Sequence, residues 1–413
     1  MVTTNVGGSG HFYVTTDDPT KPWSNPIYVE GPGFDPDLFF DDDGKTYFLR
    51  EDITSFGIHL FQIDVATGKL LTPDKTIWKG DEDPLCEAPH IYKINDWYYL
   101  LTAEGGTYRG HMVTMARSHS IFGPYEACPD NPILTHRHLV MNKLQSLGHA
   151  DLVTGPDGRW YLVFLGTRPK GKFHHLGRET LLAPAQFTEQ GWLTVNNGKP
   201  IEINMTIPYE HASQKIDTSI FESFTSPAIS HWFNYRRNPK QGAYTVDMNH
   251  HSLIIRNLQT KDDLDPFSFI GVRQRDLSAI CETSLELQPH EGAFAGLMCI
   301  MNENHYYSFG PCYMDDKLVL RVRKVIGDMV VQYDTELQST ARIHLQMLLN
   351  QDKIEFYSLD MVSSKLGHGD TYLLSSEVAG GFTGVYVGMF NDSKSSETNA
   401  SFNFFTYRRS EQI

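Results

Sequence analysis

The chain has 413 residues, 12% of them aromatic, with 33 glycines, 21 prolines and a formal net charge of −15. That length accommodates two domains with cores of their own. The scattered Lys and Arg and the acidic balance exclude a basic phosphate-reading surface, so no nucleic-acid partner is expected. No apolar run reaches membrane-spanning length, and no membrane partner is expected. Five cysteines (Cys86, Cys128, Cys281, Cys299, Cys312) make no C-x-x-C pair. They favour a reducing, cytoplasmic setting over secretion, and neither a disulfide framework nor a zinc site is expected.

No window sustains an apolar i, i+3, i+4 pattern, and turn residues punctuate short β-prone runs throughout, so an all-β chain is expected. Residues 1–30 align with the later stretch 101–132: Val2-Thr3 with Leu101-Thr102, Gly7-Gly8 with Gly105-Gly106, His11 with His111. The chain thus reads as starting inside a repeat unit. Further units are expected from about Gly33 to Lys79, Asp81 to Pro132, and Leu147 to Val195, the last with His174–Thr180 in its third-strand region. Units of about 50 residues with four strands each have the period of propeller blades. From about Ile207 a polar connection intervenes and the repeat ends. Segments such as KLVLRVRKV and HLQMLLNQDKIEFYSLD then alternate apolar and polar residues, as an antiparallel sandwich does. The expected domains are 1–209 and 210–413.

The repeat carries the chemistry. Asp35 opens DPDLFFDDDGKTYFL, Glu87 opens EAPHIYKINDWYYLL, and His149 opens HADLVTGPDGRWYLV. A tyrosine follows each by the same interval (Tyr47, Tyr99, Tyr161), so the three are expected to share one register. Innermost propeller strands line the central channel, so two carboxyls and an imidazole would meet at its mouth, a grouping suited to acid–base work. Leu85, Cys86, Ala88 and Pro89 flank Glu87, and an apolar collar with Asp35 nearby would favour its protonated form.

The stretches GPGFDPDLFFDDDGKTYF, CEAPHIYKINDWYYLLTAEGGT, GHMVTMARS, ILTHR, GHADLV and HHLGRET together resemble glycoside hydrolase family 43, the β-xylosidase and α-L-arabinofuranosidase group, in members with a C-terminal β-sandwich. The resemblance implies a five-bladed β-propeller, here lacking its first blade and part of the second, followed by a concanavalin-like sandwich. It implies inverting hydrolysis of terminal xylose or arabinofuranose from xylan-type oligosaccharides. Glu87 matches the general acid and Asp35 the carboxylate that tunes it and orients substrate. Arg178 matches the arginine that binds sugar hydroxyls, His149 the channel histidine, and Thr107 a pocket residue, with Phe34 beside Asp35 as a further substrate contact. Phe382 matches an aromatic that some members push into the site. No cofactor is implied; a structural calcium or sodium ion beside His149 in the channel is left open, as is a homo-oligomer. The family's general base, in a Pro-Asp-Pro-type motif, and its Trp-Ala-Pro motif are absent, so impaired activity is expected, with a non-catalytic carbohydrate-binding propeller as the alternative. Ala88 stands where the family usually has glycine.

Overall fold

A computed structural model describes residues 1–5, 10–83, 85–206, 218–259, 264, 266–337, 342–361 and 364–410. The expected boundary near residue 210 and the Gly7-Gly8 match lie outside these residues. The chain divides into two compact units. One comprises Met1–Arg168 and Glu179–His211, and the other comprises Pro169–Arg178 and Ala212–Ile413. Both are built of strands. Among the described residues the single α-helix is the four-residue Ser376–Ala379.

The first unit contains four antiparallel sheets in chain order. The first sheet is β1 (Val2–Thr4), β2 (His11–Tyr13) and β3 (Ile27–Val29). The second is β4 (Phe34–Phe40), β5 (Thr46–Asp52), β6 (Gly57–Ile63) and β7 (Lys75–Trp78). The third is β8 (Cys86–Ile94), β9 (Trp97–Glu104), β10 (Met112–Ser118) and β11 (Glu126–Ala127), with β12 (Leu134–Thr135) also pairing β10. The fourth is β13 (Gln145–Thr154), β14 (Trp160–Thr167), β15 (Glu179–Phe187) and β16 (Leu193–Val195). These are the four units expected from the repeat, arranged as propeller blades. The fifth blade implied by the resemblance is not among the described residues.

Residue alternation explains why the blades stack. In β5 every residue is buried. Phe48 points to one face and joins Tyr13, Val29 and Phe61 against the first blade. Tyr47 and Leu49 point to the other and join Leu60, Ile91 and Leu100 against the third. Strand β9 repeats the device, Leu100 facing back and Tyr99 and Leu101 facing forward with Val113, Leu152, Leu162 and Phe164. A strand buried on both faces loses the polar alternation of a half-wet sheet, and each fully buried Phe or Leu contributes about 1.5–3 kcal/mol.

The second unit pairs an eight-stranded with a seven-stranded antiparallel sheet. Alternate residues fill the space between them: Ile343, Leu345, Met347 and Leu349 of one sheet meet Leu297, Cys299, Val387 and Met389 of the other. This is the expected sandwich. The loop 169–178 falls outside the expected placement. His174–Arg178 do not form part of the third strand of the fourth blade, since β15 starts at Glu179 and the loop belongs with the sandwich.

Candidate active site

The three innermost strands β4, β8 and β13 carry the same irregularity. Each has a register shift against its neighbour: between Phe34 and Asp37, between Glu87 and His90, and between Gly148 and Asp151. Just inside each shift one residue has a left-handed backbone, Asp35 (φ 48°), Ala88 (φ 48°) and His149 (φ 48°). A bulge of this kind re-aims the side chains around it, and such strain in non-glycine residues concentrates at functional positions. A Cβ is disfavoured in this conformation, so a glycine would sit at the position of Ala88 with less strain.

These shifts correct the expected register. The residue equivalent to Asp35 and His149 is Ala88; Glu87 lies one residue earlier and is equivalent to Phe34 and Gly148. The cause is hairpin length. Phe39 pairs Tyr47 and Val153 pairs Tyr161 across five-residue turns, whereas Tyr92 pairs Tyr99 and the Asn95-Asp96 turn is shorter by enough to move the count one place. Counting back a fixed interval from the tyrosine therefore lands one residue off in the third blade. Glu87 is still brought to the same mouth, since β4 and β8 lie side by side.

Around the channel, the His149 Nδ1 stands 3.9 Å from Asp35 Oδ2. One layer deeper, equivalent positions carry Asp37, His90 and Asp151. His90 Nδ1 bonds Asp37 Oδ2 at 3.1 Å, its ring lies 6.3 Å from that of His149, and Tyr92 donates its hydroxyl to Asp151. Burial opposes the charge on His90, but the bond to Asp37 and the charges of Asp37, Asp151 and Asp35 outweigh it and raise its pKa. Phe34 and Thr107 are half-buried, Phe34 on β4 and Thr107 on the Gly105-Gly106 turn after β9. At Gly105 (φ 77°) an added Cβ would stand 2.3 Å from the Gly110 carbonyl oxygen, so the turn that carries Thr107 requires glycine there.

Two carboxyls of this site were not singled out from the sequence. Glu104, fully buried, accepts the backbone N–H groups of Asp81, Glu82 and Asp83 at 3.1, 2.8 and 2.7 Å and the Thr114 hydroxyl at 2.6 Å. It thereby pins the segment that leads into β8 and Glu87. Glu51, on β5 opposite Phe34, is 3% exposed. Burial first, then the charges of Glu87, Asp35 and Asp52, push its pKa up to about 8. The folded chain thus keeps a proton that the unfolded chain releases near 4.5. This contribution to stability is fully present below about pH 4.5 and is lost as the pH rises toward 8. Glu51→Gln is expected to leave the melting temperature unchanged at pH 4 and raise it by about 3–6 °C relative to the parent at pH 8, measured by calorimetry.

Arg178 and Phe382 belong to the second unit, with the guanidinium 4.7 Å from the centre of the half-exposed Phe382 ring. Stacking on an aromatic face holds a guanidinium flat. Arg273 donates to the Leu176 and Arg178 carbonyl oxygens, both at 2.7 Å, and so holds the loop that carries Arg178.

Among the described residues one trio has metal-ligand proximity, Asp52, His59 and Asp74. The buried Arg50 guanidinium already bridges Asp52 (2.8 Å) and Asp74 (2.5 Å), and His59 bonds Asp74 at 2.8 Å. A cation is thus built into this cluster as a side chain. A cavity of about 620 Å³ in the first unit is lined by Leu134, His136, Trp192 and Lys199 and holds none of the candidate residues. The Arg117 guanidinium, 3.9 Å from the Trp192 ring centre, covers one face of that indole.

Residues 1–193 match glycosyl hydrolases family 43, and residues 222–408 match the beta xylosidase C-terminal concanavalin A-like domain. A non-reducing end alpha-L-arabinofuranosidase of Bacteroides ovatus is 33% identical over 421 residues, spanning 99% of this chain and 79% of the relative. A xylosidase/arabinosidase of Butyrivibrio fibrisolvens is 32% identical, spanning 98% of this chain and 83% of the relative. A solved xylan beta-1,4-xylosidase from Bacillus halodurans superposes with a TM-score of 0.88 at 30% identity, covering 97% of this chain and 81% of its own. With the blade repeat, the sandwich and these relatives in agreement over nearly its whole length, the chain belongs to glycosyl hydrolase family 43.

Proposed function

We propose that this chain carries the acid side of an inverting glycosidase site for terminal xylose or arabinofuranose units of xylan-type oligosaccharides. Glu87 gives a proton to the glycosidic oxygen, Asp35 orients the sugar and tunes the acid, and His149, Phe34 and Thr107 line the glycone. Arg178, stacked on Phe382, binds sugar hydroxyls. The observation that carries this reading is the meeting of Asp35 and Glu87 at one mouth, where both act on the same buried neighbour, Glu51. The names of the relatives support the pair of sugars. The chemistry uses no cofactor.

Inversion also needs an ionised carboxylate about 6.5–9.5 Å from the acid, with a water between them. Glu51 keeps its proton to about pH 8, and Asp35 is committed to orientation, so we assign no general base among the described residues. Hydrolysis of an aryl β-D-xylopyranoside or aryl α-L-arabinofuranoside is expected to run about 10²–10⁴-fold below that of a family 43 xylosidase assayed beside it. Azide, which attacks the anomeric carbon without a base, is expected to raise aglycone release roughly tenfold or more. Full turnover without azide would overturn the assignment of the base. No release with or without azide, alongside xylose or arabinose binding by calorimetry, would favour a carbohydrate-binding propeller.

A further inference from the structure

At the mouth, the presence of Glu51 is not explained by the blade architecture. It sits on β5 directly across from Phe34, immediately beyond the bulge of β4. The equivalent positions on the second strands of the next two blades, across from Glu87 and Gly148, are Ala103 and Leu165. The fold therefore accepts an apolar residue at this place and gains nothing in packing from a carboxyl. Glu51 is 3% exposed, and its Oε2 has no hydrogen-bond partner among the described residues. At Gly33 (φ 103°) an added Cβ would stand 1.7 Å from the backbone carbonyl oxygen of Glu51, so glycine there lets the chain entering β4 pack directly on the β5 backbone. The charges that act on it are acidic, those of Glu87, Asp35 and Asp52. The nearby guanidinium of Arg50 is turned to Asp52 and Asp74.

A buried, unpartnered polar atom is costly unless it has a use. We propose that Glu51 is a positioning residue that acts through Glu87, meeting the carboxylate left after proton donation with an O–H instead of a further negative charge. When Glu87 transfers its proton to the glycosidic oxygen and the bond to the anomeric carbon breaks, a charge develops on the half-buried Glu87. A donor already in place stabilises that charge as it appears, which lowers the barrier without tightening substrate binding. Glu51 keeps its own proton throughout. Three ionised carboxylates at one mouth would repel one another, so the neutral form is also the one the cluster selects.

The inference rests on Glu87 being the general acid, and its test separates the two. The full-length chain, with ¹³C in its glutamate carboxyls, is titrated by NMR as wild type, Glu51→Gln, Glu51→Leu and Glu87→Gln. One glutamate is expected to titrate near pH 8 and to vanish from the spectra of both Glu51 variants. In Glu87→Gln its midpoint is expected to fall by on the order of one pH unit, as one repelling charge is gone. Azide-supported cleavage of a disaccharide, whose leaving group needs the proton, is expected to drop roughly tenfold in Glu51→Leu and to be largely rescued in Glu51→Gln, which keeps a neutral donor. A Glu51 that titrates with the bulk glutamates, or whose high midpoint does not move in Glu87→Gln, overturns the inference. Turnover that Glu87→Gln leaves intact while the coupling persists would instead overturn the assignment of Glu87. If Glu51→Leu does not fold, the Glu87→Gln titration decides by itself.

Discussion

Glu87→Gln is expected to lower azide-supported cleavage of a disaccharide by about 10²–10⁴-fold, the range for removing a positioned general acid. The amide preserves size and can donate an N–H, but it has no proton to give to the departing oxygen. The size of the effect depends on what leaves. A sugar alkoxide is a strong base and cannot depart unprotonated, so a disaccharide shows the full loss. A nitrophenolate is a weak base and departs without help, so an activated aryl glycoside shows a much smaller one. That contrast between leaving groups, measured as kcat on both substrates for parent and variant, identifies an acid and not a binding residue. Equal losses on both substrates would place Glu87 in binding alone.

The second large effect is expected at Glu104, which touches no candidate substrate position. Its side chain is fully buried and takes three consecutive backbone N–H groups, from Asp81, Glu82 and Asp83, together with the Thr114 hydroxyl. Thr114 in turn bonds Thr102 at 2.8 Å, so the loop, β9 and β10 are joined through one carboxyl. Glu104→Ala leaves these donors without their acceptor and opens a void between strands. Hydrogen bonds to a carboxylate contribute more than neutral ones, and the N–H groups near the surface recover water, so the net cost is about 2–4 kcal/mol. Chemical denaturation would measure it. Because Glu104 pairs with Cys86 across β8 and β9, the same change loosens the entry to Glu87, and turnover is expected to fall along with stability. Glu104→Gln, which keeps one acceptor oxygen, is expected to restore part of both.

The blades were legible because their spacing and turn chemistry are local. Each hairpin announces itself by a polar turn between two apolar runs, and the sandwich by its alternation. The register of the candidate mouth was not fully legible, since the short Asn95-Asp96 turn removes a residue whose loss only the ladder pairing reveals. Glu51 and Glu104 were hidden for another reason. In LREDI and TAEGG the charges stand at strand ends and read as solvated turn residues. Only the packing of the next blade turns those ends inward. A charge at a position where sister repeats carry Ala103 and Leu165 was the available signal, and reading it required the correct register. The loop 169–178 likewise lies between two strands of one blade in sequence and belongs with the sandwich in space, a partition that depends on long-range contacts.

We infer that the acid and its orienting carboxylate are assembled among the described residues while a water-activating base is not. The most direct measurement is the proton NMR spectrum of the sugar product formed from an aryl β-D-xylopyranoside in the presence of azide. α-Xylosyl azide, formed in excess over free xylose and in the inverted configuration, is the expected result. Free xylose at an azide-independent rate, or β-xylosyl azide, would contradict it.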